Sequence, residues 1–514
     1  MAAGATRPGE APPPAVELQG IDKWFGTNHA NRGIDLAVMP GTIHGIIGEN
    51  GAGKSTLMNI LFGFLEADGG RILVDGEPRR IRRPEDAIRA GIGMVHQHFM
   101  LVEPFTVVEN VLLGAEEGPL LRRSRAKARA ELGRLARDYA LDVPLDAVVH
   151  DLPVGLQQRV EILKALYRGA RILILDEPTG VLTPAEADHL FRILTGLRDQ
   201  GRTVLLITHK LREIMAVTDR VSVMRQGAMV AHRETAETSR EDLAELMVGH
   251  KVILRIDKGR ARPGAPVLEV RDLWVHDRQD VPRLKGLTFD VRAGEIVGVA
   301  GVSGNGQSEL LEVLSGILHP TKGEVRVGGE PVLNPAQGRS LGVGHVPEDR
   351  LRVGLVRTFP AWENAVLGHQ RDARYEQGGF MRRRRIRDVC RDWMRRHDVR
   401  PQSCDLEAGG FSGGNQQKLV LAREMEHEPG LLLVGQPTRG VDIGAIELIH
   451  KRLVALRDRG KAILLVSVEL DEVMALADRI LVMFDGTITG EVPGEGADER
   501  RIGLLMAGIA EEAA

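Results

Sequence analysis

Eight residues, Gly48-Glu49-Asn50-Gly51-Ala52-Gly53-Lys54-Ser55, have the types and the spacing to hold a polyphosphate. Glycines let a backbone curl until its N–H groups converge on one anion, and the N-terminus of a following helix adds partial positive charge. Lys54 supplies a full charge for the outer phosphates. The Ser55 hydroxyl, followed by Thr56, is a hard oxygen donor suited to Mg²⁺. The order matches G-x-x-x-x-G-K-[ST], the Walker A pattern, and the context agrees with it. An apolar run (Ile43, Ile46, Ile47) precedes the loop and a helical pattern (Leu57, Ile60, Leu61, Phe64) follows it. Strand, loop and helix in that order predict a bound nucleotide.

A second group can do chemistry on that nucleotide. Asp176 and Glu177 end the apolar run Ile172 to Leu175, and a carboxylate at the carboxyl end of a parallel strand projects into the crevice where α/β ligands lie. Asp176 suits the Mg²⁺ shell, directly or through water. Glu177 suits a general base that polarises water for attack on the γ-phosphate. His209 closes the last buried run, Val204 to Thr208, and at this spacing is expected to sense the γ-phosphate.

Positioning these groups takes strands alternating with helices, hence an α/β fold with a mixed, largely parallel core sheet. Charged, alanine-rich sequence between Glu116 and Leu141, helical in period from Arg122 to Asp138, predicts an inserted helical subdomain. At 514 residues, 43 % hydrophobic and 27 % charged, the chain has material for several ordinary globular domains. A net charge of −3 gives no global pull towards nucleic acid or an anionic membrane, so no nucleic-acid partner is expected. Two cysteines, Cys390 and Cys404, cannot form a disulfide framework, and a reducing compartment fits them. No run of eighteen apolar residues occurs; any membrane role must come through a partner. The basic run Arg382 to Arg385, interleaved downstream with Asp388, Asp392 and Asp398, reads as a solvated helix face.

The chain then repeats itself. Gly301 to Ser308 lies 253 residues beyond Gly48 to Ser55 (301 − 48), and Phe411 to Gly414 lies 259 beyond Leu152 to Gly155 (411 − 152). An offset that drifts so little over a domain is a duplication. The expected organisation is a disordered lead over 1–15, one domain over 16–250, a linker over 251–266 and a second domain over 267–508.

Together these motifs resemble the ATPase subunit of ABC transporters, from about Val16 to Met506. The resemblance implies two tandem P-loop NTPase (ABC cassette) domains using ATP and Mg²⁺. It implies Phe25 for adenine stacking, Gln97 as the Q-loop residue with catalytic and metal roles beside Ser55 and Asp176, and Leu152 to Gln157 as a signature region. Fused twin domains carrying His96 to Val102 and His345 to Arg350 resemble the tandem subunits of simple-sugar and nucleoside importers. Gly304 to Ser308 lies nearest the nucleoside (BmpA-associated) branch. The implied partners are transmembrane permease subunits and, indirectly, a substrate-binding lipoprotein; the implied location is the cytoplasmic face of the membrane, held peripherally. Phe99 to Val102, next to Gln97, would then be a docking surface.

The two copies depart from the family pattern in complementary ways. In the second, Gln307 replaces Lys54, Gly435 and Gln436 replace Asp176 and Glu177, Glu348 replaces Gln97, and Val468 replaces His209. Its signature, Ser412, Gly413, Gly414, Asn415 and Gln416, is intact, whereas Pro153 and Val154 disrupt that of the first copy. In this family each ATP lies between the Walker loop of one domain and the signature of the other. One hydrolytic and one degenerate site are therefore expected, with Ser412, Gly413, Gly414 and Gln416 serving the nucleotide of Lys54. A soluble twin-cassette ATPase acting on the ribosome is the alternative. It would bring a long charged linker and two intact sites, and this chain has neither.

Overall fold

Strand Ile43–Gly48 is buried at every position and forms the centre of a six-stranded sheet. It pairs in parallel with Thr203–Thr208 on one side and Arg220–Arg225 on the other. Ile172–Asp176 and then Ile92–Val95 extend the parallel part, and Ala228–Glu234 closes the far edge antiparallel to Arg220–Arg225. Strands covered on both faces read as continuous Ile/Leu/Val runs because neither side meets water. The computed structural model describes residues 12–96, 99–115, 121–180, 182–249, 258–302, 304–441 and 443–509. Gln97 lies outside the described residues, as does most of the lead over 1–15.

Contacts divide the chain into two compact units, Met1–Val252 and Ile253–Ala514. In the first, an antiparallel sheet of Asn28–Val38, Val16–Phe25, Gly69–Val74 and Glu77–Arg79 covers the helix that follows the glycine loop, Lys54–Phe62. Val16, Leu18 and Ile34 of that sheet share one core with Leu57, Ile60 and Ile46. On the other side, helices Val107–Leu112, Leu121–Asp138 and Val154–Tyr167 form the inserted subdomain. Ala128, Leu132 and Leu135, at the expected three- and four-residue spacing, anchor the charged helix to the core.

The second unit has the same plan. Its six-stranded sheet runs Val343–Val346, Leu431–Gly435, Ala462–Ser467, Ile296–Ala300, Arg479–Phe484 and Thr487–Pro493, with only the last pair antiparallel. Helix Arg383–Arg396 buries Ile386, Cys390, Trp393 and Met394 and turns its arginines outward, where Arg391 pairs with Asp388 at 2.8 Å. That is the solvated face the sequence predicts. Both cysteines are buried and free. Among the described residues no helix is long and apolar enough to cross a membrane.

The duplication holds at the level of single contacts. Arg198 pairs with Asp219 at 3.0 Å, and Arg457 with Asp478 at 2.8 Å. Gln157 Nε2 donates to the Leu152 carbonyl at 2.8 Å, as Gln416 Nε2 does to that of Phe411 at 3.1 Å.

Candidate active site

Gly51 and Gly53 hold φ of 84° and 96°, the left-handed region that only glycine enters freely. Gly53 is also walled in: a β-carbon there would lie 2.4 Å from the Ala30 carbonyl oxygen. Lys54 opens the helix and is 6 % exposed. Its Nζ donates to the carbonyls of Gly48 at 2.7 Å and Glu49 at 3.0 Å, so the ammonium lies back across the loop. Burial pulls this ammonium below the usual lysine range, against the charges of Glu177, Asp176 and Glu49.

Asp176 is the last residue of its strand and is buried. Burial and the neighbouring Glu177 charge push its carboxyl up, opposed by a hydrogen bond from Ser55 and by Lys54. Glu177 follows at φ 47°, with its N–H donating to the Ile207 carbonyl at 2.8 Å. Its Oε1 lies 2.8 Å from His209 Nδ1. Burial acts to raise the Glu177 carboxyl, but the His209 hydrogen bond, with the charges of His209, Lys54 and Lys210, holds it below the usual range. Beneath them Gln158 Nε2 donates to the Pro178 carbonyl at 2.7 Å, and Thr179 hydrogen-bonds the buried Glu213. The turn carrying the two carboxylates is thus tied to helices on both sides.

Lys54, Ser55, Asp176, Glu177 and His209 therefore meet at one end of the parallel sheet. Phe25 ends strand Val16–Phe25 and is 47 % exposed, with the Lys23 ammonium 5.8 Å from its ring. Its neighbour Trp24, equally exposed and stacked on His29, is an aromatic surface the sequence reading did not single out. The apolar run after Gln97 is not one uniform patch: Met100 is exposed, while Leu101 packs against the core. Phe105 is exposed as well.

One buried residue was missed. Asn110 Oδ1 accepts from the Val102 N–H at 2.7 Å, and its Nδ2 donates to the carbonyls of Val102, Phe105 and Thr106. Asn364 does the same for Val356, Phe359 and Pro360. The repeat offset carries the signal, since Val102, Phe105 and Asn110 each recur 254 positions on (364 − 110).

Hard oxygens suit Mg²⁺, and the hydrogen-bonded Ser55 and Asp176 present a hydroxyl and a carboxylate beside the phosphate loop, so this donor set fits the ion. Among the described residues no cluster of three or more His, Cys, Asp or Glu could hold a metal.

The second unit answers the same positions with neutral groups. Gln307 Nε2 donates to the Val302 carbonyl at 3.0 Å and its Oε1 accepts from the Asn305 N–H at 3.1 Å. Gln436 has the same left-handed backbone as Glu177, φ 48°. Its Oε1 accepts from the Val468 N–H at 3.4 Å. In the signature, Ser412 stands at the N-cap position of helix Gly413–Glu426 without a side-chain bond to its backbone, and its hydroxyl accepts from Asn415 Nδ2 at 2.8 Å. Gly414 packs close to the Gly440 carbonyl, and the buried Gln416 ties the helix start to Ala408 and Phe411. In the first unit Pro153 occupies the cap of helix Val154–Tyr167 and offers no side-chain hydrogen bond.

The sequence description of one family, ABC transporter, matches residues 31–180 and again 284–439. The chain belongs to the ABC transporter family. It is an ATP-binding subunit with two tandem cassettes, and an ATPase. It is 46 % identical to the nucleoside import ATP-binding protein NupA of Lactococcus lactis, over 96 % of this chain and 98 % of that one. It is 44 % identical to the glucose import ATP-binding protein TsgD13 of Haloferax volcanii, over 96 % of each. A solved archaeal ribosome recycling factor, in complex with a ribosomal stalk protein, is similar over 90 % of this chain and 87 % of that one with a TM-score of 0.57. At 19 % identity this likeness shows the fold alone.

Proposed function

We propose that this cassette subunit energises the uptake of nucleosides or simple sugars, with separate permease subunits carrying the solute and a binding lipoprotein presenting it. Relatives covering nearly its whole length, named for nucleoside and for glucose import, support that cargo class. The meeting of Lys54, Ser55, Asp176, Glu177 and His209 in one unit is the observation that carries the chemistry. When bound, Mg²⁺ and ATP supply the scissile phosphoanhydride and the charge that offsets its oxygens.

The residues supply the rest. Lys54 and the loop N–H groups fix the outer phosphates. Ser55 and Asp176 stand ready as the metal donors. Glu177, kept ionised, accepts the proton of the attacking water at a carboxylate oxygen, and His209 holds that carboxylate in place through Oε1. Gln97 is assigned by the resemblance to the same site. In the second unit no lysine and no base stand at these positions, so hydrolysis is assigned to the first cassette alone. Relatives named as import ATP-binding proteins support a peripheral place for this subunit on the cytoplasmic face of the membrane.

The test is to express the chain with its membrane partners and compare wild type with Lys54→Ala. Loss of both ATP hydrolysis and uptake of a labelled nucleoside or pentose is expected. Unimpaired uptake by the variant, or copurification with ribosomes instead of a hydrophobic subunit, would overturn the reading.

A further inference from the structure

In the first unit the carboxylate beside the loop serine belongs to Asp176, at the end of strand Ile172–Asp176. The equivalent strand of the second unit, Leu431–Gly435, ends without a side chain. A carboxylate is nevertheless present. Glu348 arrives just beyond the neighbouring strand Val343–Val346, and the Ser308 hydroxyl hydrogen-bonds its Oε2. It occupies the space that an aspartate at 435 would need: a β-carbon built on Gly435 would lie 2.6 Å from Glu348 Cγ and 3.0 Å from its backbone nitrogen. Leu311 Cδ1, at 2.7 Å, closes the same space, so the strand end has no room for a side chain and the serine–carboxylate pair is rebuilt from the adjacent strand.

We propose that Glu348 is the metal-side carboxylate of the second cassette, which holds a nucleoside triphosphate through a divalent cation and does not split it. The proposal deepens the reading of the chain as a tandem nucleotide-binding subunit. Ser308 and Glu348 reproduce the hydroxyl and carboxylate donor set of Ser55 and Asp176, with oxygen ligands suited to Mg²⁺. Gln436 in the place of Glu177 is an amide; its Nε2 lies 3.4 Å from Glu348 Oε1, and it cannot take a proton from water. Gln307 brings no charge to replace Lys54. With the lysine gone, the phosphate charge at this loop must be met by the cation, so binding there depends on the divalent ion far more strictly than in the first cassette.

Equilibrium binding of ATP to the full chain in a Glu177→Gln background, with Mg²⁺ or with EDTA, tests this. A nucleotide on each cassette is expected in Mg²⁺, and one on the first cassette only in EDTA. Glu348→Ala, which removes the carboxylate and also the oxygen donor a glutamine would keep, should lose the second nucleotide in Mg²⁺ while leaving the first in place, the retained first nucleotide serving as the check on folding. Mn²⁺ in place of Mg²⁺ should show by paramagnetic resonance one fewer protein-bound ion in that variant. A second nucleotide that survives EDTA, one that survives Glu348→Ala, or none in the parent chain would each overturn the proposal. Absence of any nucleotide at the first cassette would instead sink the functional reading beneath it.

Discussion

His209 Nδ1 lies 2.8 Å from Glu177 Oε1, and this contact, with nearby cationic charge, keeps Glu177 ionised at a largely buried position. Glu177→Gln should therefore retain ATP binding and lose steady-state turnover by about a hundredfold or more. His209→Ala should act through Glu177, so its loss of turnover should steepen towards acid pH as the unsupported carboxyl protonates more readily. Hydrolysis near the parental rate in purified Glu177→Gln complex would remove Glu177 from the role of base.

Asp176 shows the opposite balance. Its carboxyl is pushed up by burial and by Glu177, so the folded state binds that proton more tightly than the unfolded chain does. At neutral pH the ionised group costs stability, a cost relieved only as pH falls towards the carboxylate range. Asp176→Asn should abolish turnover and yet raise the melting temperature of the nucleotide-free protein, by roughly 2–4 °C for each kcal/mol relieved. A lower melting temperature would show that the charge stabilises the fold.

On the composite site that the resemblance implies, with this hydroxyl facing the phosphate held by Lys54, Ser412→Ala should reduce turnover by about a hundredfold. Pro153→Ala should leave turnover almost unchanged. Steady-state rates of the two variants, assembled with the permease, decide between this pattern and self-contained cassettes, which forecast the reverse.

Buried histidines set the acid limit of stability. Burial pushes His345 down to about 4 against the opposing charge of Glu424, and pushes His44 down to about 3. Below the ordinary value of 6.5 the unfolded chain takes up these protons and the folded chain refuses them, so stability falls as pH drops from 6.5 towards those values. For His345 alone the slope approaches about 1.4 kcal/mol per pH unit. Urea midpoints between pH 7 and 5 should fall in the parent and fall less in His345→Gln.

Asn110→Ala leaves several backbone groups between Val102 and Thr106 without their partner and should cost about 3 kcal/mol. Asn364→Ala should cost about as much, since its contacts match one for one. Denaturant unfolding of the two variants checks both figures.

The parts legible in the sequence are those fixed by local chemistry or by the repeat. Gly53-Lys54-Ser55 announces a phosphate loop because few other uses need those types in that order. The run Ile172 to Leu175 reads as a buried strand because both its faces are covered. Glu348 was legible only as a departure, the loss of a glutamine. That its carboxylate replaces Asp176 depends on which strand lies beside which, and on the bare Gly435 backbone beneath it. Asn110 was overlooked because a lone buried amide has no pattern of its own until its twin Asn364 is set beside it. Trp24 carries no sequence signal of its own, because the adjacent Phe25 fits the same aromatic role.

The twin asparagines have a mechanical consequence. Each joins the turn before it to its own helix by four hydrogen bonds, so the turn and the helix move as one stiff bracket. Exposed Met100 and Phe105 stand on one bracket, and exposed Phe359 on the other. A load applied at these side chains would pass into the helix through those hydrogen bonds. For the proposed permease docked on these side chains, two amide brackets would make the coupling stiff.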